Sequence, residues 1–332
     1  MNRRSLITNG ILFFLPSNGF YFDKKKREKE KGTFSMDRNE IQFFHPKVSK
    51  KFSCLFIADT HLFIDDERGN DFKIYSGRMA KAYNKTKHFQ TGFDTTPELA
   101  FKETLQIAKE KNISLLILGG DIFSFPSEAA IGFVLDELKK IDIPYIFTAG
   151  NHDWHYEGMS GSSDSLRNLW INKRLINLYQ NENPMFAVRL INGIRIITID
   201  NSTYEIKEEQ LKFFEDQVSK GDPVLLCVHI PFYVQGRSLG FGCAHPEWNG
   251  KNDKNYELER REQWRASGHN EITMKFYKAM LETSNMIGII AGHIHAPSID
   301  IFKNGVPQIV TTANAYGGFL SIDFEKEPIT TN

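Results

Sequence analysis

The chain has little cysteine, no long apolar run and no excess of either charge. Three cysteines in 332 residues (Cys54, Cys227 and Cys243) are too few for a disulfide framework. Two of them sit inside apolar runs, which reads as buried small hydrophobes in a reducing compartment. No apolar stretch approaches the roughly 18 residues that a membrane span needs. Lysine plus arginine (41) equal aspartate plus glutamate (41), so no global field draws the chain to long nucleic acid or to an anionic membrane. An anionic substrate stays open, because a metal site supplies its own local positive charge. With 41% hydrophobic and 25% charged residues, the composition is that of a globular protein able to bury a core without covalent staples.

At the N-terminus, Arg3 and Arg4 precede the apolar patch Ile11 to Pro16, a loose imitation of a signal peptide with no small-residue cleavage site after it. The basic run Lys24 to Lys31, broken by Glu28 and Glu30, reads as a solvated segment. Residues 1–48 are therefore expected to form a tail outside the fold, with Met36 as an alternative start. A cytoplasmic location is favoured over export by that weak signal.

From Lys51 onward, short apolar runs alternate with amphipathic helices. Phe52 to Ala58, Ile113 to Leu118, Pro144 to Ala149, Val224 to Val228 and Met286 to Ala291 have the length of buried strands. Thr96-Pro97-Glu98 opens one helix, and Ser127 caps another whose Ile131, Val134, Leu135 and Leu138 share a face. Asn192-Gly193 and Asn304-Gly305 are hairpin signals. The pattern predicts one mixed α/β domain over residues 49–332. Two segments, 62–95 and 231–270, are too long for connectors; both leave from polar strand ends, so they are expected to lie over a site.

Those strand ends carry the chemistry. Asp59, Asp121, Asn151, His229 and His293 follow the end of an apolar strand at once or within three residues. In open α/β sheets the carboxyl ends of strands line one edge, where ligands bind. Carboxylates, an amide and imidazoles together suit manganese, iron, zinc or nickel rather than calcium. Thiolates are absent from the set, which argues against a structural zinc site.

The series Asp59-x-His61, Gly120-Asp121, Gly150-Asn151-His152-Asp153, His229 and Gly292-His293-x-His295 resembles the calcineurin-like metallophosphoesterase (binuclear metallophosphatase) superfamily, block for block and in order. The resemblance implies an α/β fold of two packed mixed β-sheets flanked by helices. It implies two transition-metal ions, divalent or di/trivalent. One would take Asp59, His61, Asp121 and His295, and the other Asp121, Asn151, His229 and His293, with Asp121 bridging. It implies hydrolysis of a phosphomonoester or phosphodiester by a metal-bridging hydroxide. His152 would protonate the leaving oxygen or stabilise the charge on the phosphoryl group, and Asp153 would orient His152 and raise its pKa. One departure stands out: purple acid phosphatases place a tyrosine ligand where this chain has Ser124, followed by Phe125, so no iron–tyrosinate chromophore is expected.

For the substrate, Arg237, Trp248, Arg261, Trp264 and Arg265, with Arg260 beside them, could clamp a phosphate and stack on a flat group. Arg78 and Tyr83 offer the same in the first long segment. The bland alternative is that the tryptophans pack the loop while the arginines face water. His45, His88, His155, His245 and His269 read as surface or satisfied core residues. A non-catalytic scaffold on this fold would be expected to lack ligands, and here the set is full. A metal-dependent amidohydrolase carries His-x-His on its first strand, whereas this chain carries Asp59-x-His61 there. Among phosphoesterases a small phosphorylated substrate is preferred, because the second long segment could close over one; a nuclease-type phosphodiesterase is the alternative.

Overall fold

The computed structural model describes residues 32–80, 86–248 and 268–326. The described strands, in chain order, are β1 (Thr33–Asp37), β2 (Glu40–Phe44), β3 (Phe52–Ile57), β4 (Thr86–Lys87), β5 (Asp94–Thr95), β6 (Leu115–Leu118), β7 (Tyr145–Phe147), β8 (Phe186–Ile191), β9 (Ile194–Ile199), β10 (Val224–Cys227), β11 (Met286–Ala291), β12 (Ser298–Ile301), β13 (Pro307–Val310) and β14 (Leu320–Glu325). Two six-stranded mixed sheets result, ordered β1-β2-β14-β3-β6-β7 and β12-β13-β11-β10-β9-β8, while β4 and β5 form a separate hairpin. Strands β3, β6 and β7 run parallel in the first sheet, and β9, β10, β11 and β13 in the second.

Alternation along these strands builds four layers. In β3, Cys54 and Phe56 enter an inter-sheet core with Leu225 and Cys227 of β10, while Leu55 and Ile57 face the opposite way. That second face meets Phe101, Leu105, Val134 and Leu138 of the helices Pro97–Glu110 and Glu128–Ile141. Leu226 of β10 likewise faces Leu211, Phe214, Phe276 and Met280 of the helices Glu208–Ser219 and Glu271–Glu282. A strand buried on both faces must be apolar throughout, which is why these strands read as continuous runs. The caps are local and follow the sequence: the Thr96 hydroxyl accepts the Leu99 N–H and the Ser127 hydroxyl that of Ala130, both at 3.3 Å. The Asn192-Gly193 turn has φ of 47° and 91° between paired Ile191 and Ile194, as a two-residue hairpin requires. All three cysteines are buried and free. Among the described residues no helix is long and apolar enough to cross a membrane.

The fold departs from the sequence reading at the N-terminus. Residues 33–44, expected within a tail ending at 48, form two strands of the first sheet. β2 pairs in parallel with β14, with Ile41 opposite Ile322 and Phe43 opposite Phe324, and Ile41, Phe43 and Val48 are buried. Five-residue strands gain their burial from a partner at the far end of the chain, which no local pattern announces. The rest of that tail, residues 1–31, lies outside the described residues. The long segment 62–95 contains the helix Lys73–Met79 and the β4–β5 hairpin. In the segment from 231, Phe232, Phe241, Cys243, Ala244 and Trp248 join the core of the second sheet.

Candidate metal centre

Each polar strand end turns sharply. Asp59, His61, Asp121, His293 and His295 all have left-handed backbones, with φ of 57°, 53°, 50°, 73° and 62°. For residues with a Cβ this region costs on the order of 1 kcal/mol or more and persists only where the surroundings over-determine it. Here the loops are stitched together: Asp59 N–H donates to Gly120 O at 3.0 Å, His61 N–H to Asp121 O at 2.9 Å and Gly292 N–H to His229 O at 3.0 Å. Gly120 has to be glycine, since a Cβ there would lie 2.5 Å from Gly150 N and 2.7 Å from His229 Nδ1.

Two donor groups result. Asp59, His61 and His295 form one, and Asp121, His229 and His293 the other, with the donor atoms of each group within 4.8 Å of one another. In the first, His61 Nε2 lies 3.0 Å from His295 Nε2, which is 3.5 Å from Asp59 Oδ1. In the second, Asp121 Oδ2 lies 3.1 Å from His229 Nε2. Asn151 Oδ1 stands 3.1 Å from both His229 Nε2 and His293 Nδ1. The groups meet at Asp121, whose Oδ2 is also 4.0 Å from His61 Nε2. They are tied again at Asp59, whose carboxylate accepts the His293 N–H at 2.8 and 3.0 Å. Asp59, His61 and His229 are fully buried, whereas the His295 side chain keeps 25% of its surface exposed and marks the open rim.

The electrostatics call for a cation. Burial, and then the neighbouring His295, hold His61 well below the usual histidine range; burial and His229 do the same to His293. Both rings are therefore neutral and carry a free lone pair. His229 goes the other way: burial, the largest influence, opposes its charge, but the charge and hydrogen bond of Asp121 together with the charges of Asp59 and Asp153 outweigh burial and push its pKa up to about 10. Its Nδ1 faces the Gly119 carbonyl at 3.0 Å, an acceptor only, so that nitrogen carries the hydrogen. Nε2 is left facing the oxygens of Asp121 and Asn151, an arrangement that a neutral ring would make repulsive. A proton or a metal ion at Nε2 resolves it. Imidazoles, carboxylates and an amide oxygen with no thiolate fit transition-metal ions.

The structure brings together all seven residues expected as ligands, with the His152 ring 5.1 Å from that of His61. Asp153 does not orient His152. Its Oδ2 accepts the N–H groups of Asp121 at 2.8 Å and Gly150 at 2.6 Å, and its Oδ1 that of Phe123 at 2.9 Å, so backbone amides occupy the carboxylate. Trp248 is not free to stack on a ligand: it is buried, packed edge-on to Tyr204 and His269 at 4.7 and 5.0 Å. Arg237 is committed to Asp300, Nη2 to Oδ1 at 2.9 Å, and its guanidinium covers the Phe241 ring. Arg260, Arg261, Trp264, Arg265 and Tyr83 lie outside the described residues, as does the side chain of Arg78. Ser124, where a tyrosine ligand would stand, donates its hydroxyl to His61 O at 2.8 Å and so braces that turn.

Two residues of the site escape the sequence reading. The Tyr204 hydroxyl lies 2.8 Å from His293 Nε2. Asn314 accepts the Thr60 hydroxyl at 3.0 Å and donates its own backbone N–H to Ala58 O, fixing the turn between Asp59 and His61. Tyr204 had a usable signal: it closes Asp200-Asn201-Ser202-Thr203-Tyr204, which follows β9 just as the ligand segments follow their strands.

A family model described as calcineurin-like phosphoesterase matches residues 52–297. No curated protein matches the chain. Among solved structures, a dimetal phosphatase from Danio rerio is similar at 12% identity and a TM-score of 0.48, covering 81% of this chain and 91% of that one. A purple acid phosphatase from yellow lupin seeds is similar at 13% identity and 0.46, over 88% of this chain and 48% of that one. A phosphopantetheinyl hydrolase from Mycobacterium tuberculosis is similar at 12% and 0.39, over 81% and 92%.

Proposed function

The chain belongs to the calcineurin-like phosphoesterase family, and on that premise we propose that it hydrolyses a phosphomonoester or phosphodiester of a small molecule with the help of two transition-metal ions. The observation that carries this reading is the approach of both donor groups to one carboxylate, Asp121 Oδ2 lying 3.1 Å from His229 and 4.0 Å from His61. Asp59, His61 and His295 would hold one ion, Asn151, His229 and His293 the other, and Asp121 both. When bound, such a pair lowers the pKa of water and offsets the charge that develops on the phosphoryl oxygens. His152 is held beside His61 by its own N–H, which donates to Asp121 Oδ1 at 2.7 Å. Among the described residues its ring Nδ1 has no hydrogen-bond partner, and it delivers the proton to the leaving oxygen. With Arg237 and Trp248 engaged elsewhere, Arg261, Trp264 and Arg265 remain the candidates for substrate contact. A net charge of zero favours a small substrate over long nucleic acid.

The test is turnover of para-nitrophenyl phosphate and of its bis-ester by metal-stripped protein. Manganese, zinc, iron(II) or nickel is added back, and Asp121→Asn is run alongside. Activity restored by a metal and abolished by Asp121→Asn supports the reading, and the ratio of the two esters gives the substrate class. Protein that binds no ion under any of these conditions refutes it.

A further inference from the structure

β9 ends beside the site, yet the segment after it supplies none of the donor atoms. Asp200-Asn201-Ser202-Thr203-Tyr204 instead reaches behind three loops that do. Asn201 exchanges two hydrogen bonds with Ile230, the residue after His229: Nδ2 to Ile230 O at 2.6 Å and Ile230 N to Oδ1 at 3.0 Å. Ser202 accepts the Trp154 indole N–H at 2.9 Å, two residues from His152, and is itself held by Asp200 Oδ1 at 2.6 Å. Tyr204 completes the series on His293, with ring centroids 5.5 Å apart and nearly perpendicular.

Tyr204 is over-determined. It is 2% exposed, its backbone is left-handed at φ 61°, the Trp248 ring lies edge-on at 4.7 Å, and the Cys243 thiol donates to its carbonyl at 3.1 Å. For a bulky residue that backbone is a genuine outlier, of the kind that clusters at functional sites. We propose that Tyr204 is a positioning residue which fixes the ring of His293 and thereby sets the affinity of the ion shared by Asp121, Asn151, His229 and His293. The inference rests on the metal reading above. His293 turns Nδ1 inward to Asn151 Oδ1, 3.1 Å away, and Nε2 outward to Tyr204. With the inner nitrogen donating its lone pair to an ion, the outer one carries the hydrogen, and the Tyr204 oxygen accepts it. Tyr204 thus does for His293 what the Gly119 carbonyl does for His229. Loss of such a partner typically weakens metal affinity by about 10- to 100-fold.

The experiment titrates metal-stripped protein with manganese(II) and, in parallel, zinc(II), reading stoichiometry and affinity by calorimetry and by metal analysis after dialysis. Tyr204→Phe keeps the ring and removes the acceptor; Tyr277→Phe is the control, since its hydroxyl donates to the Tyr233 carbonyl at 2.8 Å, away from both donor groups. Two ions bind the unaltered protein, and Tyr204→Phe weakens one by roughly 10-fold or more while sparing the other. The metal-free variant melts with the Tyr277→Phe control, which keeps both affinities. If Tyr204→Phe keeps both affinities, or weakens both equally together with an earlier melt, the positioning role is wrong while the metal reading stands. An unaltered protein that takes up fewer than two ions overturns both.

Discussion

The carboxylate of Asp153 accepts the backbone N–H of Asp121 at 2.8 Å. Gly150 and Phe123 donate to it as well, at 2.6 and 2.9 Å, so one buried side chain ties the loop after β6 to the loop after β7. Burial and the nearby Asp121 push its pKa well above the usual carboxylate range, against those amides. In Asp153→Asn one oxygen becomes an NH2 group that faces backbone N–H donors. The expected cost is about 1–3 kcal/mol, read as a lowered melting temperature. Because backbone amides occupy the Asp153 carboxylate, the surviving activity falls equally on alkyl and aryl phosphate esters. A loss confined to the alkyl phosphate would show that Asp153 acts through His152 after all.

His152→Asn removes the proposed proton donor and leaves both donor groups whole. The loss depends on the leaving group: about 10²- to 10⁴-fold with an alkyl phosphate, which needs the proton, and far less with para-nitrophenyl phosphate, which does not. Metal content stays at the level of the unaltered protein. Equal losses on both esters would remove His152 from the proton-transfer step.

The residues legible in the sequence are those whose role is local or whose polarity interrupts an apolar run. Asp59, Asp121 and His229 stand out because each is the first ionisable side chain after an apolar strand, and Thr96 and Ser127 because a cap bonds its own helix. What was not legible depends on side-chain direction or on distant partners. Asp153 follows His152 in sequence, yet its carboxylate is taken up by three backbone amides. Trp248 looks like a loop aromatic and is packed on Tyr204. Tyr204 resembles any core aromatic until its hydroxyl is placed against His293.

Metal uptake should release protons. Asp121, with Asp59 and Asp153, raises His229 to about 10 against burial, so around pH 8 the metal-free ring is charged and an ion must displace its proton. His295, raised by Asp59 against burial, adds to the release toward lower pH, whereas His61 and His293 are already neutral. The sign follows: affinity rises with pH below about 10, by roughly tenfold per unit for each proton displaced. Calorimetry in buffers of different ionisation enthalpy reads the number directly. Heats that do not depend on the buffer would mean that His229 is neutral before the ion arrives.

Phe43 tests whether the N-terminal strands belong to the core. Its ring is 2% exposed and stacks on Phe324 with centroids 5.7 Å apart, and Phe324 stacks in turn on Phe52 at 4.6 Å. On the facing sheet, a Cβ at Gly288 of β11 would lie 2.7 Å from the tip of that ring, so glycine there makes the room Phe43 fills. β11 leads directly to His293, which couples this packing to the site. Phe43→Ala should cost about 3–5 kcal/mol by leaving a cavity between the sheets. Phe34→Ala, at a half-buried ring on β1, should cost clearly less. Deletion through residue 44 should then remove metal binding along with stability, because β14 and β11 both lose the surface they pack against. A truncated protein that melts with the full chain would show instead that the two sheets close without β1 and β2.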